Sequence, residues 1–95
     1  MIPLPLNIRK NGFDYIQVRR GGRSFIYEQR ITPEIKYYEV FELRIQPAKT
    51  FPSGKSYPAK ERFPGNEDFG KWAWSCRTYE RAYQIHLELE KPHES

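Results

Sequence analysis

The sequence contains a single cysteine, and this scarcity sets the first limit on the class of protein. Cys76 cannot close a disulfide within the chain, whereas small secreted domains often carry several disulfides. Long hydrophobic runs are also missing, because the apolar N-terminus Met1–Leu6 is short and is interrupted by Pro3 and Pro5. Such a segment fits neither a signal peptide nor a membrane span. The sequence therefore predicts a cytoplasmic protein without a membrane partner.

Grouped catalytic and metal-ligating residues are missing as well. The chain has two histidines and one cysteine, and their spacing matches no zinc-binding pattern. Cys76 and His86 would lie about 15 Å apart along a helix that begins near Thr78, and His93 follows the last proline, where the chain is expected to fray. Gly21-Gly22 is not followed by a helix, so it does not form a phosphate-binding loop. We therefore expect a non-enzymatic protein with no cofactor and no metal.

Aromatic residues are plentiful, although only 38% of the chain is hydrophobic. The two Trp, seven Tyr and six Phe residues each bury on the order of 150–250 Å² when they enter a core. A chain of 95 residues has room for one such core. The sequence therefore predicts a single domain, residues 1–95, with a small aromatic core.

Three turn signals divide residues 1–46 into a hairpin meander. Asn11-Gly12 lies between two β-rich runs, and this dipeptide is the strongest short hairpin signal because both residues accept positive φ. Gly21-Gly22 separates the next pair of runs in the same way. Thr32-Pro33-Glu34 predicts a further turn, which leads into a long strand, Lys36–Ile45, rich in aromatic and β-branched residues.

The predicted register assigns apolar side chains to both faces of this sheet. A two-residue Gly21-Gly22 loop pairs Val18 with Phe25 and Ile16 with Tyr27, so that these four side chains share one face. The other face then carries Leu6, Ile8, Phe13, Tyr15 and Ile26, with Ile8 opposite Tyr15. A three-residue loop would change this partition, but both faces would remain partly apolar.

Residues 47–76 form a connection rich in proline and glycine, which excludes a long helix there. Pro52-Ser53-Gly54 predicts a turn, after which Ser56–Arg62 returns as a short edge strand. Asn66 is expected to cap one helical turn that ends at Gly70.

The C-terminal segment, residues 78–91, is predicted to form one amphipathic helix. Thr78 is a suitable N-cap, no Gly or Pro follows until Pro92, and apolar residues recur along one side. The complete prediction is an α+β fold: a three- to five-stranded antiparallel meander sheet with one C-terminal helix packed on it. One helix covers one face, so the second face needs either a partner, such as a second copy in a homodimer, or the chain's own aromatic residues. Those aromatic residues are Phe51, Tyr57, Phe63, Phe69, Trp72 and Trp74.

A basic hairpin tip is the first candidate binding site. Residues 1–65 hold 12 Lys/Arg against 6 Asp/Glu, whereas residues 66–95 hold 4 against 6. Arg19, Arg20 and Arg23 surround the Gly21-Gly22 turn and would bind phosphates, while Tyr15 or Phe13 would stack a base. The alternative is a solvated loop that discourages edge pairing between molecules. A nucleic-acid-binding module is therefore one of two functional hypotheses.

Trp72 and Trp74 are the second candidate. They would point to the same side if the segment were extended, and tryptophan is enriched at binding hot spots as well as in cores. Exposed tryptophans would favour a protein partner, which is the main functional hypothesis.

The segment from Phe63 to Trp74, followed by Thr78-Tyr79-Glu80-Arg81-Ala82, resembles a C-terminal signature of small uncharacterised proteins of phages and mobile elements of gut Bacteroidetes. Asn11-Gly12-Phe13 and the Tyr37–Phe41 strand resemble the same group. The group has no established activity, so the resemblance transfers no site. It implies an accessory role that acts on a host component, for example as an inhibitor of host defence.

Overall fold

The computed structural model describes residues 1–92 and contains a five-stranded antiparallel sheet with one helix packed on it. The strands are β1 Asn7–Lys10, β2 Phe13–Arg20, β3 Ser24–Arg30, β4 Lys36–Glu42, β5 Ile45–Gln46, β6 Lys49–Thr50, β7 Ser56–Tyr57, β8 Lys60–Glu61 and β9 Ala73–Cys76; a 3₁₀ turn spans Asn66–Asp68, and helix α1 spans Tyr79–Glu90. The order in the main sheet is β1-β2-β3-β4-β9. The predicted α+β class is confirmed.

The first hairpin forms as predicted. Asn11 and Gly12 both have positive φ, 55° and 81°, which is the backbone geometry of a two-residue turn of the primed type. Ile8 pairs with Tyr15, so the register of β1 on β2 is also as expected. The Thr32 turn is confirmed too, because the Thr32 hydroxyl accepts hydrogen bonds from the amides of Glu34 and Ile35.

The register predicted for the second hairpin is wrong. The turn closes one residue later than expected, with the Gly21 amide bonded to the Ser24 carbonyl, and Arg20 therefore pairs with Phe25. A β-bulge at Val18 then shifts the pairing again. As a consequence, Phe25 and Tyr27 lie on the same face as Tyr15, not on the opposite face.

Both faces of the sheet are apolar, and the chain covers both of them itself. Helix α1 packs Ala82 against Ile26, Val40 and Cys76 on one face. On the other face, the buried residues are joined by partly buried aromatic residues of the connection: Leu4, Tyr15, Phe25, Tyr27, Phe41, Trp72 and Ala73 with Phe63 and Phe69. The expected cover by Phe51 and Tyr57 is wrong, because both rings are exposed.

The connection contains a strand of the main sheet that the sequence analysis did not predict. Strand β9 pairs with β4 as the edge of the sheet, with Trp74 opposite Val40. Gly70, at φ 88°, turns the chain into this strand. The expected Asn66 cap is wrong, since Asn66 lies within the 3₁₀ turn and the Asp68 carboxylate accepts the Gly65 amide instead.

Helix α1 begins and ends where its sequence predicts. The Thr78 hydroxyl accepts a hydrogen bond from the Arg81 amide at 3.2 Å, and the helix ends at Glu90, two residues before Pro92. Within residues 1–92 there is no helix with the length and apolar character needed to cross a membrane.

Strands β5 to β8 form one hairpin, Ile45–Glu61, that we call the arm. Its two ladders keep one continuous register, in which Gln46 pairs with Lys60 and Lys49 with Tyr57. Pro47 and Pro58, which lack amide hydrogens, lie between the ladders and interrupt the pairing. The predicted Pro52-Ser53-Gly54 turn is confirmed, with the Gly54 amide bonded to the Phe51 carbonyl. The return strand pairs within the arm and not with the main sheet.

Candidate functional site

The arm is the most exposed and most uniformly basic part of the described chain. Every residue from Arg44 to Pro58 is exposed. Between Gln46 and Lys60 there are three lysines, Lys49, Lys55 and Lys60, and no carboxylate. None of the three lysines forms an ion pair with a residue in 1–92. The arm is therefore a cationic element whose charge is available to a partner.

Two aromatic rings accompany these lysines. Phe51 is 40% exposed and Tyr57 is 53% exposed, and their rings meet edge to face with centroids 5.6 Å apart. The Lys49 ammonium lies 5.2 Å from the centre of the Phe51 ring. Exposed aromatic residues held by a partly cationic ribbon are the combination that proteins use to bind polyanions with flat bases.

A shallow concavity of about 300 Å³ runs along one side of the arm. It is lined by Gln46, Lys49, Phe51, Tyr57 and Lys60. Its chemistry combines two ammonium groups, two ring faces and one amide, and it includes no acidic side chain. A ligand that suits this surface is anionic and planar in part.

The base of the arm is fixed by a half-buried ion pair between the exposed Arg20 and the buried Glu61. Glu61 is buried, and Arg20 donates to both of its carboxylate oxygens, at 2.7 and 2.5 Å. The Leu4 amide donates to the same carboxylate at 2.8 Å, which ties the N-terminal segment to the arm. The hydrogen bonds from Arg20, and to a smaller extent from Leu4, lower the pKa of Glu61 despite its burial. These hydrogen bonds to Glu61 therefore hold in place the point at which the arm leaves the domain.

The three arginines of the predicted hairpin tip do not converge on one surface. Arg20 turns towards Glu61, whereas the Arg19 guanidinium lies over the Tyr83 ring of α1, 4.7 Å from its centre. Arg23 donates from its guanidinium to the Lys91 carbonyl at 3.1 Å. Each arginine thus has a partner within its own chain, and a phosphate-binding role for this group remains a prediction.

The aromatic candidates lie mostly in the core. Tyr15 is buried, its hydroxyl accepts a hydrogen bond from Gln29 at 3.0 Å, and burial raises its pKa. Trp72 is buried against Phe41 on the face opposite to α1. Trp74 is partly buried on the α1 face. The expectation that the two tryptophans share a side is wrong, because Trp72 precedes strand β9 and packs independently of it.

A serine, a histidine and a glutamate meet in a buried cluster that the sequence analysis missed. The Ser24 hydroxyl lies 2.6 Å from His86 Nδ1 and donates to Glu90 at 2.6 Å. Because the Ser24 hydroxyl donates its single proton to the Glu90 carboxylate, the Ser24 oxygen accepts a hydrogen bond from the Nδ1–H group of His86. Burial lowers the pKa of His86, which favours the neutral ring.

This cluster is a structural lock rather than a catalytic triad. Ser24 is 0% and His86 4% exposed, so no substrate reaches the hydroxyl, and in a triad the histidine stands between serine and carboxylate. Glu90 also accepts from the Gly22 and Arg23 amides at 2.8 Å each. The lock therefore fastens the end of α1 to the β2–β3 turn, and these bonds explain why the turn closes around Gly22-Arg23.

The remaining reactive groups are isolated. Cys76 is buried, and burial raises the pKa of its thiol, which disfavours the reactive thiolate. No three His, Cys, Asp or Glu side chains within residues 1–92 are grouped so that they could hold a metal ion. His93 lies outside the described residues.

A second surface is a groove of about 610 Å³ beside α1 at the β9 edge of the sheet. Its apolar floor is formed by Trp74, Ile85 and Leu89, with the exposed Leu87 nearby and polar side chains at the rim: Arg81, Gln84, Glu88 and Lys91. Ser75, at the centre of β9, is exposed on this outer edge.

Comparison of the chain with protein-family models, with curated proteins and with solved structures gave no match. The arm had one signal in the sequence, namely the lysines without carboxylates between two prolines placed on either side of a turn. A charge count over the whole N-terminal half obscures that signal.

Proposed function

We propose that this protein is a non-enzymatic interaction protein that binds nucleic acid through its arm. The observation that carries the proposal is the exposed run from Gln46 to Lys60, with three lysines and no carboxylate. Lysines that neutralise phosphates release counterions, which supplies most of the affinity of sequence-independent binding. The overall charge of +4 adds long-range attraction for a polyanion.

Two variants with equal charge loss test the role of the arm. The arm variant carries K49Q, K55Q and K60Q, and the control variant carries K36Q, K71Q and K91Q at exposed positions away from the arm. Binding to a fluorescent oligonucleotide is measured by anisotropy at about 50 and 200 mM salt. We expect the arm variant to lose at least about tenfold in affinity and to show a flatter salt dependence, by about 0.9 in logarithmic slope per lost contact.

The control variant is expected to retain most of the affinity, since it keeps the arm intact. Equal losses in the two variants would show that net charge, and not the arm, attracts the ligand. Failure of the unmodified protein to bind any oligonucleotide at low salt would remove the proposal.

The second candidate is a protein partner at the groove beside α1. The specific observation is the combination of the exposed β9 edge at Ser75, the apolar floor around Trp74 and the exposed cations Arg77 and Arg81. An extended partner segment with alternating apolar and acidic residues would complement this surface, because its backbone pairs with β9 and its carboxylates face the two arginines.

A pull-down from the native host tests this candidate, with R77E/R81E as the variant that reverses the local charge. Recovery of a partner by the unmodified protein but not by the variant would support it, and recovery of nothing above background would contradict it. Light scattering on the purified protein tests for a homodimer, in which a second copy of the chain would occupy this groove instead of a different protein.

The accessory role that the resemblance to mobile-element proteins implies stays a prediction. Genes for defence, replication or packaging next to the coding sequence would support it, and a neighbourhood of housekeeping genes would argue against it.

A further inference from the structure

The concavity of the arm carries ring faces in addition to charge. Phosphate contacts alone would need only the lysines, yet the two exposed aromatic side chains of the described chain, Phe51 and Tyr57, lie among them. Exposed rings gain no hydrophobic stabilisation from folding, whereas a ligand with a flat apolar face that covers both of them would gain it on binding.

We propose that the arm stacks an unpaired base between its aromatic rings and lysines, and that the protein therefore prefers single-stranded nucleic acid. This inference rests on the proposed function and names the form of nucleic acid that the site takes. Bases in a duplex are stacked on one another, so only an unpaired base offers its face to a protein ring.

The geometry of the two rings supports a stacking site. The planes of the Phe51 and Tyr57 rings stand at 87° to each other, so one ring points its edge at the face of the other. The ring that points its edge is not covered on either face by the other ring. Lys49 pairs with Tyr57 across the two strands, and its ammonium group lies 5.2 Å from the centre of the Phe51 ring. A base over the ring would thus have its phosphate within reach of a lysine.

Gln46 and Lys60 complete the site at the base of the arm. The Gln46 amide offers both donors and an acceptor, which suit the edge of any base without strict sequence choice. Lys60 pairs directly with Gln46 and adds a second phosphate contact. An acidic peptide would satisfy the lysines but would leave both rings uncovered, which makes it the weaker candidate.

The experiment compares probes of equal length; the single strands carry equal charge and differ only in their bases or sugars, and the duplex is compared at equal phosphate concentration because it carries twice the charge. The probes are a single-stranded DNA, the matching RNA, the corresponding duplex and an abasic strand, with polyglutamate as a competitor. The unmodified protein, F51L/Y57L and the ring-preserving control Y57F are titrated against each probe. Leucine keeps an apolar side chain and removes only the flat face, and thermal unfolding verifies that the variants are folded.

We expect the unmodified protein and Y57F to bind the single strands at least about fivefold tighter than the abasic strand, which is the effect of one stacked base. F51L/Y57L should lose this advantage and keep its affinity for the abasic strand, because the lysines remain. DNA and RNA should bind alike if stacking dominates, and a large difference would assign the site to one of them by its sugar contacts.

Equal binding to single, duplex and abasic strands would overturn the stacking inference while the proposed function stands. Preference for the duplex at equal phosphate concentration would also overturn it, because the affinity would then follow charge density and not unpaired bases. Absence of binding to every nucleic acid would instead remove the proposed function itself. Displacement of every nucleic acid by polyglutamate at equal charge would also remove it. Even if F51L/Y57L unfolds, the affinities of the unmodified protein for the base-containing and the abasic single strands decide whether a base is stacked.

Discussion

At the scale of single residues, the buried carboxyl group of Glu39 is an unfavourable feature within the described part of the chain. The side chain is only 7% exposed, and its Oε2 has no hydrogen-bond partner in the part of the chain that the structure describes. Tyr27 and Ser75 lie beside it on the neighbouring strands. Burial raises its pKa to about 7, and the Lys10 charge offsets only part of this rise. Glu39 is therefore stable in the core chiefly when it is protonated.

We predict that E39Q stabilises the protein at pH 8. A carboxyl whose pKa rises from 4.5 to about 7 on folding contributes its full stability below pH 4.5 and loses it as the pH rises through 7. At about 1.4 kcal/mol per pH unit this is a loss of about 3 kcal/mol, which the neutral amide avoids. Urea unfolding at pH 5 and pH 8 measures the effect. E34Q, in the exposed turn, is the matched control and should change neither value; an unchanged pH dependence in E39Q would contradict the assignment.

The Glu90 lock gives a second prediction at this scale. A Cβ on Gly21 would lie 2.4 Å from the Glu90 side chain, so G21A must displace the carboxylate from its amide and hydroxyl donors. We expect G21A and E90A to destabilise the protein by about 1 kcal/mol each, because each removes the same hydrogen bonds, two of which are exposed to water. The double variant should cost little more than either single variant. Additive losses in chemical unfolding would show that the two residues act separately.

At the scale of elements, local signals predicted the turns and the helix, while tertiary contacts decided the rest. Asn11-Gly12 defines its hairpin because both residues accept positive φ, and Thr78 with Pro92 delimits α1. The turn after β2 closes one residue later than expected because Glu90, far away in sequence, binds its amides. No local pattern contains that contact.

The candidate site was also beyond local reasoning. Charge and turn position indicate the tip arginines as a site, but their guanidinium groups contact Glu61, the Lys91 carbonyl and the Tyr83 ring. Those three partners come from distant parts of the chain. Phe51 and Tyr57 do not cover the sheet as predicted, because an aromatic residue has the same sequence signal whether it is exposed or buried.

The arm should be separable from the domain that carries it. We predict that replacing Pro47–Ala59 with Asn-Gly keeps the fold, because Gln46 and Lys60 already pair across that position and a two-residue turn suits the pair. The unfolding free energy should change by less than about 1 kcal/mol, since the removed residues are almost all exposed. Nucleic-acid binding should be lost in the same variant. A large loss of stability would show that the arm belongs to the core.

At the scale of the whole molecule, segments of the same chain cover both faces of a single sheet. Carboxylates hold these covering segments in place through hydrogen bonds. Glu61 holds the N-terminal segment and the arm, Asp68 holds the turn at Gly65, and Glu90 holds the end of α1. The two apolar faces that suggested a partner are thus satisfied within the chain. The surfaces for which we propose association are therefore the edges and projections of the molecule, namely the arm and the β9 groove, and not an uncovered sheet.

This arrangement predicts how the molecule responds to acid. Hydrogen bonds from Arg20 lower the pKa of Glu61, and those from Ser24, Arg23 and Gly22 outweigh burial and lower the pKa of Glu90. A carboxylate with a lowered pKa contributes stability above its ordinary pKa of 4.5 and loses it as the pH falls through the lowered value.

We therefore expect the unfolding free energy to fall steeply below about pH 4.5. The variant E61Q/E90Q should be less stable at pH 7 and should show a much shallower loss between pH 4.5 and 2. E39Q changes the pH dependence of the unfolding free energy above pH 4.5, whereas E61Q/E90Q changes it below pH 4.5. The two variants therefore distinguish the contribution of Glu39 from those of Glu61 and Glu90. Equilibrium unfolding of both variants across this range measures the two windows. An acid transition of unchanged steepness in E61Q/E90Q would mean that other carboxylates hold the covering pieces in place.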